Sequence, residues 1–467
     1  MPSTRKSTST KSKAPKSATG NDVQVIVIGA GVSGVATAWA LRQMGIDSIV
    51  LEGRPDRIGG RVWSSPVWKE THVDLGASWV THMTINPLVE IARANNIKLI
   101  NSDLLNITLT EANGERLSDE ETAETLALYF ALLGTVKLNA ARRAQAGKPD
   151  IPASQEFGRV LKGMQLDDRT RRNVEFFLNL QVTEPHAADL DDLSLYHWDD
   201  DYVQMMLAAA VVPAGYVRIV EALAKKLEIR RGHVVSRIAH SADGVIVTTN
   251  QGEFKAPYAV VTLPHGVLAN THAKLFSPKL PEWKREAIGQ IHTGLSDKFY
   301  FLFPKVFWKS NRDILGRVDE EENGRWSTWV NFHRYTKLPI LMCFNRTEHA
   351  IALEGMTDEE VIDEAMTILR AEYGPGIPRP IRMQRSKWHA DPFAQGTLPH
   401  VPPGSTGEAF RVLARPVGRV RFAGDSTHAE FNGTVLGAFL SGVREAEKLA
   451  CLVYGTGAMR AIGRIKH

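Results

Sequence analysis

The stretch from Val23 to Arg61, VQVIVIGAGVSGVATAWALRQMGIDSIVLEGRPDRIGGR, constrains this chain more than any other part of it. Val23 to Ile28 is a β-branched apolar run, as a strand buried on both faces of a parallel sheet requires. Gly29, Gly31 and Gly34 follow at once, with Val32 and Ser33 between the last two. In this G-x-G-x-x-G the first glycine permits the tight turn, the second lets a phosphate approach the backbone, and the third lets helix and strand pack closely. A helix over Val35, Ala36, Ala38, Ala40 and Leu41 presents small residues to the sheet, and its N-terminus offers free N–H groups to a pyrophosphate. A second strand, Ser48 to Leu51, ends in Glu52, 21 positions past Gly31, where a carboxylate accepts from ribose hydroxyls. A structural turn alone does not need strand, glycines, helix, strand and acid in this order. The acid disfavours the extra phosphate of NADP, which leaves FAD or NAD.

The text then continues as Glu52-Gly53-Arg54, Arg57 and Gly59-Gly60-Arg61. A second diglycine flanked by arginines supplies more backbone and positive charge than one dinucleotide turn needs, and suits a second contact to a diphosphate. Here the chain resembles the FAD-dependent amine oxidases, a family that includes polyamine oxidases, monoamine oxidases and lysine-specific histone demethylases. The resemblance implies FAD rather than NAD. It also implies an α/β fold: a Rossmann-type, GR2-like FAD-binding domain over 21–86, 206–275 and 408–460, interleaved with an α+β substrate domain over 87–205 and 276–407.

Several further segments carry the resemblance. Val73-Asp74-Leu75-Gly76-Ala77-Ser78-Trp79-Val80-Thr81-His82 is similar to the family segment that passes the flavin ring and enters the substrate cavity. Relatives often place His or Glu at the position of Thr81. Here the polar residue is offset by one, and His82 either faces the cavity as base or amine anchor or occupies a surface turn. Val235, in a Val-rich hairpin after residue 230, matches a valine whose backbone serves the adenine. Gly294-Leu295-Ser296-Asp297-Lys298-Phe299-Tyr300-Phe301-Leu302-Phe303 reads as a strand with Lys298 pointing away from Phe299. Burying an ammonium is costly without a partner, so an exposed edge-strand lysine is the alternative. The resemblance implies that Lys298 holds a water against N5 of the flavin, and the match continues through Trp308.

Trp388 and Phe393 match aromatics near the isoalloxazine, and the stretch after them lacks the cysteine that monoamine oxidases bond to the flavin, so noncovalent FAD is expected. Near the C-terminus, Val420-Arg421-Phe422-Ala423-Gly424-Asp425 followed by Gly433-Thr434-Val435 reads as strand, turn and helix start. That helix N-terminus, at Thr434 and Val435, would face the flavin pyrimidine and stabilise negative charge there. Asp425 stands where relatives have Glu. The aromatic residues with which relatives sandwich an amine are missing at Leu398 and Thr434, and His400 offers only an imidazole.

The 467 residues suffice for two or three domains, and 43% hydrophobic with 23% charged residues is the composition of a soluble globular chain. Met1 to Gly20 holds five Lys and Arg, no acid and almost no large apolar residue, so we expect a disordered basic tail. Without it the formal charge falls from +4 to −1, and no nucleic-acid partner is expected of the folded body. Two cysteines, Cys343 and Cys451, give neither a disulfide framework nor a metal-ligand spacing. They fit a reducing compartment, and a cytoplasmic enzyme without a membrane anchor is expected, its oligomeric state open with a homodimer as one option. Pro87 to Asp201 reads as mostly helical, with a long amphipathic run from Glu124 to Arg142 and no catalytic motif. The acidic run Asp199-Asp200-Asp201 is either an anionic entrance for cationic amines or a solvated loop.

The resemblance implies oxidation of a polyamine-like amine. The carbon next to nitrogen gives a hydride to flavin N5, the imine is hydrolysed to a carbonyl, and O2 is reduced to hydrogen peroxide. A different monoamine or an L-amino acid is the alternative substrate, the latter needing a cavity arginine for its carboxylate. A chromatin-directed or nucleic-acid-binding demethylase is the alternative outside the oxidases, suggested by the basic tail.

Overall fold

The computed structural model describes residues 23–68, 71–111, 113–199, 209–318 and 324–455. The Met1–Gly20 tail and the acidic pair Asp200-Asp201 lie outside the described residues.

Two sheets organise the chain. The first has five parallel strands in the order Val420–Phe422, Tyr258–Val261, Val25–Ile28, Ser48–Leu51 and Ile229–Arg230. Its central strand is buried throughout, as the β-branched run demands. Alternate residues face alternate layers. Val25, Val27 and Val50 pack with the helices Val32–Gln43 and Val435–Tyr454, whereas Ile26, Ile28 and Ile49 pack against the antiparallel strands Val235–His240, Val245–Thr249 and Gly252–Ala256. The first and last helices meet closely: a Cβ on Gly442 would lie 2.3 Å from the Ser33 carbonyl oxygen. The two ends of the chain therefore build one layer.

The second sheet has six strands, ordered Arg382–Arg385, Ser296–Leu302, Ile340–Arg346, Thr328–Asn331, Ile314–Arg317 and Ile107–Thr110. All its pairings are antiparallel except the last. Phe299 and Phe301 pack toward the helix Asp358–Tyr373. Tyr300 and Leu302 pack toward the helices Asp119–Gln145, Ala153–Gly163 and Asp168–Leu178. A small three-stranded sheet, Trp79–Val80, Ala209–Val211 and Ile100–Ser102, bridges the two bodies.

The 87–201 region is less uniformly helical than expected, because Ile107–Thr110 completes the second sheet as an edge strand. The long helix starts earlier than Glu124, at Asp119. Ser118 accepts the Glu121 N–H at 3.1 Å and Glu121 accepts the Ser118 N–H at 2.7 Å, a reciprocal cap that fixes the start. No helix among the described residues is long and apolar enough to cross a membrane.

Candidate functional site

The glycine turn is shaped by close approach. Gly29 has φ +102°, and a Cβ on Gly34 would sit 1.9 Å from the Gly29 carbonyl oxygen, so strand and helix meet here only with glycine. Glu52, at the tip of the second strand, is buried, and its carboxylate accepts the Ala30 N–H at 2.6 Å and the Arg54 N–H at 2.8 Å. The second diglycine closes on the first: the Gly59 N–H donates to Ala30 at 2.8 Å, and Gly60 packs on Gly31 so tightly that a Cβ would lie 3.1 Å from the Gly31 Cα. Arg61 joins distant parts of the chain, bonding Asp425 at 2.5 Å and donating to the Thr397 carbonyl. Asp425 reaches it from a turn, Asp425–Thr427, that follows the Val420–Phe422 strand.

These pieces line a cavity of about 720 Å³. Its lining includes Gly29, Gly31, Val32, Ser33, Glu52, Gly53, Arg54 and Val235, and Gly59, Gly60, Arg61, Gly424 and Asp425. Gly76, Ala77, Ser78, Trp79, Thr81, Lys298, Trp388, Leu398, Thr434 and Val435 also line it. Gly34 supports the turn from behind. Thr434 caps the last helix, its hydroxyl accepting the Gly437 N–H at 2.9 Å, which leaves that helix start open to the cavity.

Lys298 is buried, and points away from Phe299 as its strand alternation requires. Its Nζ donates to the Gly76 carbonyl and the Ser78 hydroxyl, both at 2.5 Å, and lies 5.0 Å from the centre of the Trp79 ring and 5.5 Å from that of Phe344. Burial drives its pKa well below the ordinary lysine value, and the buried Asp74 carboxylate works against that shift. Asp74 is itself held by the Ser64 hydroxyl and the Tyr216 N–H. The edge-strand reading of Lys298 is excluded, since strands flank it on both sides.

Two expectations need correction. His82 lies neither in the cavity wall nor on the surface. It is buried in a left-handed turn with φ 55°, bonded through Nδ1 to the Thr81 hydroxyl at 2.9 Å and set edge-on to Phe431 at 5.1 Å. His400 also misses the main cavity and opens onto a separate space of about 20 Å³ with His186, His197 and Asn432. Burial takes its pKa down to about 3, so it is a neutral imidazole. Both expected aromatics line the cavity: Phe393 packs on Gly53 and under the Arg54 guanidinium at 5.1 Å, and Trp388 sets its ring 5.9 Å from Trp63 and donates from Nε1 to the Leu75 carbonyl at 3.0 Å.

The helical region also contributes what no motif announced. Leu104, Leu180, Glu184 and Pro185 line the cavity together with Ile314, Thr328 and Phe344. Leu180 belongs to a π-helical turn, Asn179–Thr183, which shifts the register so that Glu184 turns inward. The Glu184 carboxylate accepts from Arg346 Nη1 at 3.2 Å, and Asp189 lies 3.5 Å from Nε of the same guanidinium. Burial raises the Glu184 pKa, with Arg346 opposing. The only warning in the sequence was an acid next to proline within a helical stretch.

The residues fit FAD. The paired glycine turns line the cavity, with Gly31 so open that a Cβ on it would meet only the Gly60 Cα at 4.0 Å, Arg57 keeps a buried Nη2 without a partner while its Nη1 bonds Gly60, and a helix N-terminus also lines the cavity. Cys343 lies in the second sheet and Cys451 on the last helix, so among the described residues no cysteine lines the cavity to bond a flavin.

A dinucleotide seat closed against a second, mostly antiparallel sheet, with a buried lysine between them, defines a flavin-dependent oxidoreductase. The chain belongs to the flavin containing amine oxidoreductase family, whose model matches residues 32–450, and its cofactor is FAD. Among similar proteins, Lysine-specific histone demethylase 1 homolog 1 of Arabidopsis thaliana is 33% identical over 91% of this chain, which spans 52% of that protein. Polyamine oxidase 2 of Arabidopsis thaliana is 32% identical over 91% of this chain and 87% of its own length. The chain thus spans just over half the length of the demethylase homologues it matches. In fold it is similar to cyclohexylamine oxidase from Brevibacterium oxydans IH-35A, with TM-score 0.73 and 22% identity over 92% of this chain and 99% of that one. A putrescine oxidase solved with putrescine gives TM-score 0.74 at 18% identity, over 91% and 98% of the two chains.

Proposed function

We propose that this protein oxidises the carbon next to nitrogen in a small polyamine-like amine, yielding a carbonyl compound and a smaller amine, with O2 reduced to hydrogen peroxide. The observation that carries this reading is that the apolar side chains Leu104, Leu180, Ile314 and Phe344 line the same cavity as Lys298 together with the Glu184 carboxylate, whose side chain is 8% exposed. The apolar walls lower the pKa of the reacting nitrogen, so it enters as the neutral amine that oxidation requires. Glu184 bonds Arg346 through Oε1, and its other carboxylate oxygen favours a second, cationic nitrogen on the same molecule. Bound FAD supplies the acceptor for the two electrons and the hydrogen that leave the carbon. Gly29, Gly31, Glu52, Gly59, Gly60 and Arg61 would hold it, and Thr434 with Val435 would offer it a helix N-terminus. Lys298, fixed by Gly76 and Ser78, holds a proton or water between the two sheets, while Trp79, Trp388 and Phe344 exclude bulk solvent.

An L-amino acid fits less well, because the arginines lining the cavity, Arg54 and Arg61, are committed to Asp391 and to Asp425 with Thr397. A methylated lysine peptide is the second reading, favoured by the identity to demethylase homologues. Hydrogen peroxide release from the purified yellow protein, screened over spermine, spermidine, putrescine, aromatic monoamines, amino acids and a methyl-lysine peptide, separates these readings. The proposal expects diamines and polyamines to be turned over best. Turnover of the peptide alone would replace it with the second reading.

A further inference from the structure

Behind Trp388, on the side of the strand away from Lys298, two acids meet in the protein interior. Asp297 is fully buried and Glu354, on the helix Thr347–Gly355, is nearly so. Each binds the turn that carries Trp388. Asp297 Oδ1 accepts the Trp388 N–H at 3.1 Å and the Ser386 hydroxyl at 2.6 Å. Glu354 accepts the His389 N–H at 2.8 Å through Oε1 and the Ala390 N–H at 2.9 Å through Oε2. Three successive backbone N–H groups thus end on two carboxyl groups. Ser386 ties the arrangement to the Lys298 strand, its hydroxyl oxygen accepting the Lys298 N–H at 2.9 Å.

The second oxygen of Asp297, Oδ2, is buried and has no donor. A carboxylate oxygen cannot stay buried without a hydrogen bond next to another carboxylate, and two like charges in a dry site repel. We propose that Asp297 and Glu354 share one proton, carried on Asp297 Oδ2 and donated to Glu354, and that this acid–carboxylate pair positions Trp388 in the wall of the flavin seat. Asp297 and Glu354 are positioning residues, acting through the turn they hold. The inference needs the FAD seat but not the identity of the amine.

The surrounding charges agree with a single negative charge on the pair. Lys387 Nζ donates to the Glu354 backbone carbonyl at 2.7 Å, and Arg385 donates to the carbonyls of Leu353 and Met356 while pairing with Asp358 at 3.0 Å. Both cations sit at the C-terminal end of the Glu354 helix. Lys298 projects from the opposite face of its strand, toward Gly76. Further along the turn, Asp391 is satisfied by Arg54 at 2.7 Å. No cation therefore bonds Asp297 Oδ2 itself, and a proton does what a cation would.

Burial, together with the neighbouring Glu354, pushes the Asp297 carboxyl up to about 8. An unfolded aspartate ionises near pH ~3.9. Between these values the folded chain keeps a proton that the unfolded chain has released, so this contribution to stability is lost as pH rises toward about 8. Above that, both carboxyl groups ionise, repel each other, and loosen the Trp388 turn.

Asparagine at 297 imitates the protonated acid: its oxygen accepts from Ser386 and Trp388, and its amide donates permanently to Glu354. The test compares wild-type holoenzyme, Asp297→Asn and Asp297→Ala by thermal midpoint and visible flavin circular dichroism across neutral to alkaline pH. The Asn variant should gain on wild type as pH rises, ending about 4 °C higher in Tm, and its flavin spectrum should stay constant where that of wild type shifts. The Ala variant should be less stable than either at neutral pH. An Asn variant that follows wild type at every pH, or that falls as far as Ala, overturns the proposal. Both readouts are taken without substrate, so their failure is distinct from failure of the proposed amine chemistry.

Discussion

The proposed function gives Lys298 and Glu184 different parts, a held proton or water and an anchor for a cationic nitrogen, and each part has its own signature. Lys298→Met keeps the shape of the strand and removes the Nζ held by Gly76 and Ser78. Flavin content should stay at that of wild type while turnover falls about 10²-fold, the usual size of a positioned proton-transfer group. The same substitution has a pH signature. Burial lowers the Lys298 pKa from the ordinary lysine value, so below pH ~10.4 the unfolded chain takes up a proton that the folded chain resists. Wild type is therefore handicapped as pH falls, and Lys298→Met should gain stability relative to it between alkaline and neutral pH, measured by denaturant titration. Glu184→Gln retains an oxygen for Arg346 but removes the charge. kcat/KM for diamines should fall about 10-fold to 100-fold, the worth of one charge-assisted hydrogen bond, with aromatic monoamines little changed. Equal losses for both substrate classes would remove Glu184 from substrate recognition.

At the scale of elements, the seat depends on close backbone approach as much as on side chains. Gly34→Ala would drive a methyl group into the Gly29 carbonyl, 1.9 Å away, separating the first strand from its helix. We expect a protein purified without its yellow colour and destabilised by about 3 kcal/mol, measured by flavin absorbance and urea unfolding. This unit was readable from sequence because each glycine answers a local need that no other residue meets. The strand Ser48–Leu51 and the helix start at Thr434 were readable for similar reasons: a β-branched run ending in an acid, and a capping threonine after glycine. The inward turn of Glu184 was not, because a π turn changes register without any residue type demanding it. His82 and His400 were misplaced because a histidine beside a recognisable motif reads the same whether its ring faces the cavity or packs on Phe431 or His292. The Asp297–Glu354 pair was invisible for a plainer cause: its members come from a strand and a helix 57 positions apart in the sequence.

For the whole molecule, the defining feature is that both ends of the chain close one seat. The helix Val435–Tyr454 buries Phe439, Val443, Ala446 and Leu449 in the same layer as the helix Val32–Gln43. Arg61 and Asp425, 364 positions apart, bond across the cavity wall. A chain truncated after Thr434 should therefore yield no soluble FAD-bound protein, even though every glycine of the first turn remains. The recognisable motifs near each end were enough to predict this closure, whereas the cavity wall that includes Leu180, Glu184 and Phe344 arises only when the second sheet and the π turn are brought together. The central claim is that FAD in this seat accepts electrons from an amine entering past Lys298 and Glu184, and anaerobic titration of the purified protein tests it most directly. Adding spermidine or putrescine without oxygen should bleach the visible flavin absorbance, and admitting air should restore it with release of hydrogen peroxide. A protein that is colourless as purified, or a flavin band that no amine bleaches, would contradict the account.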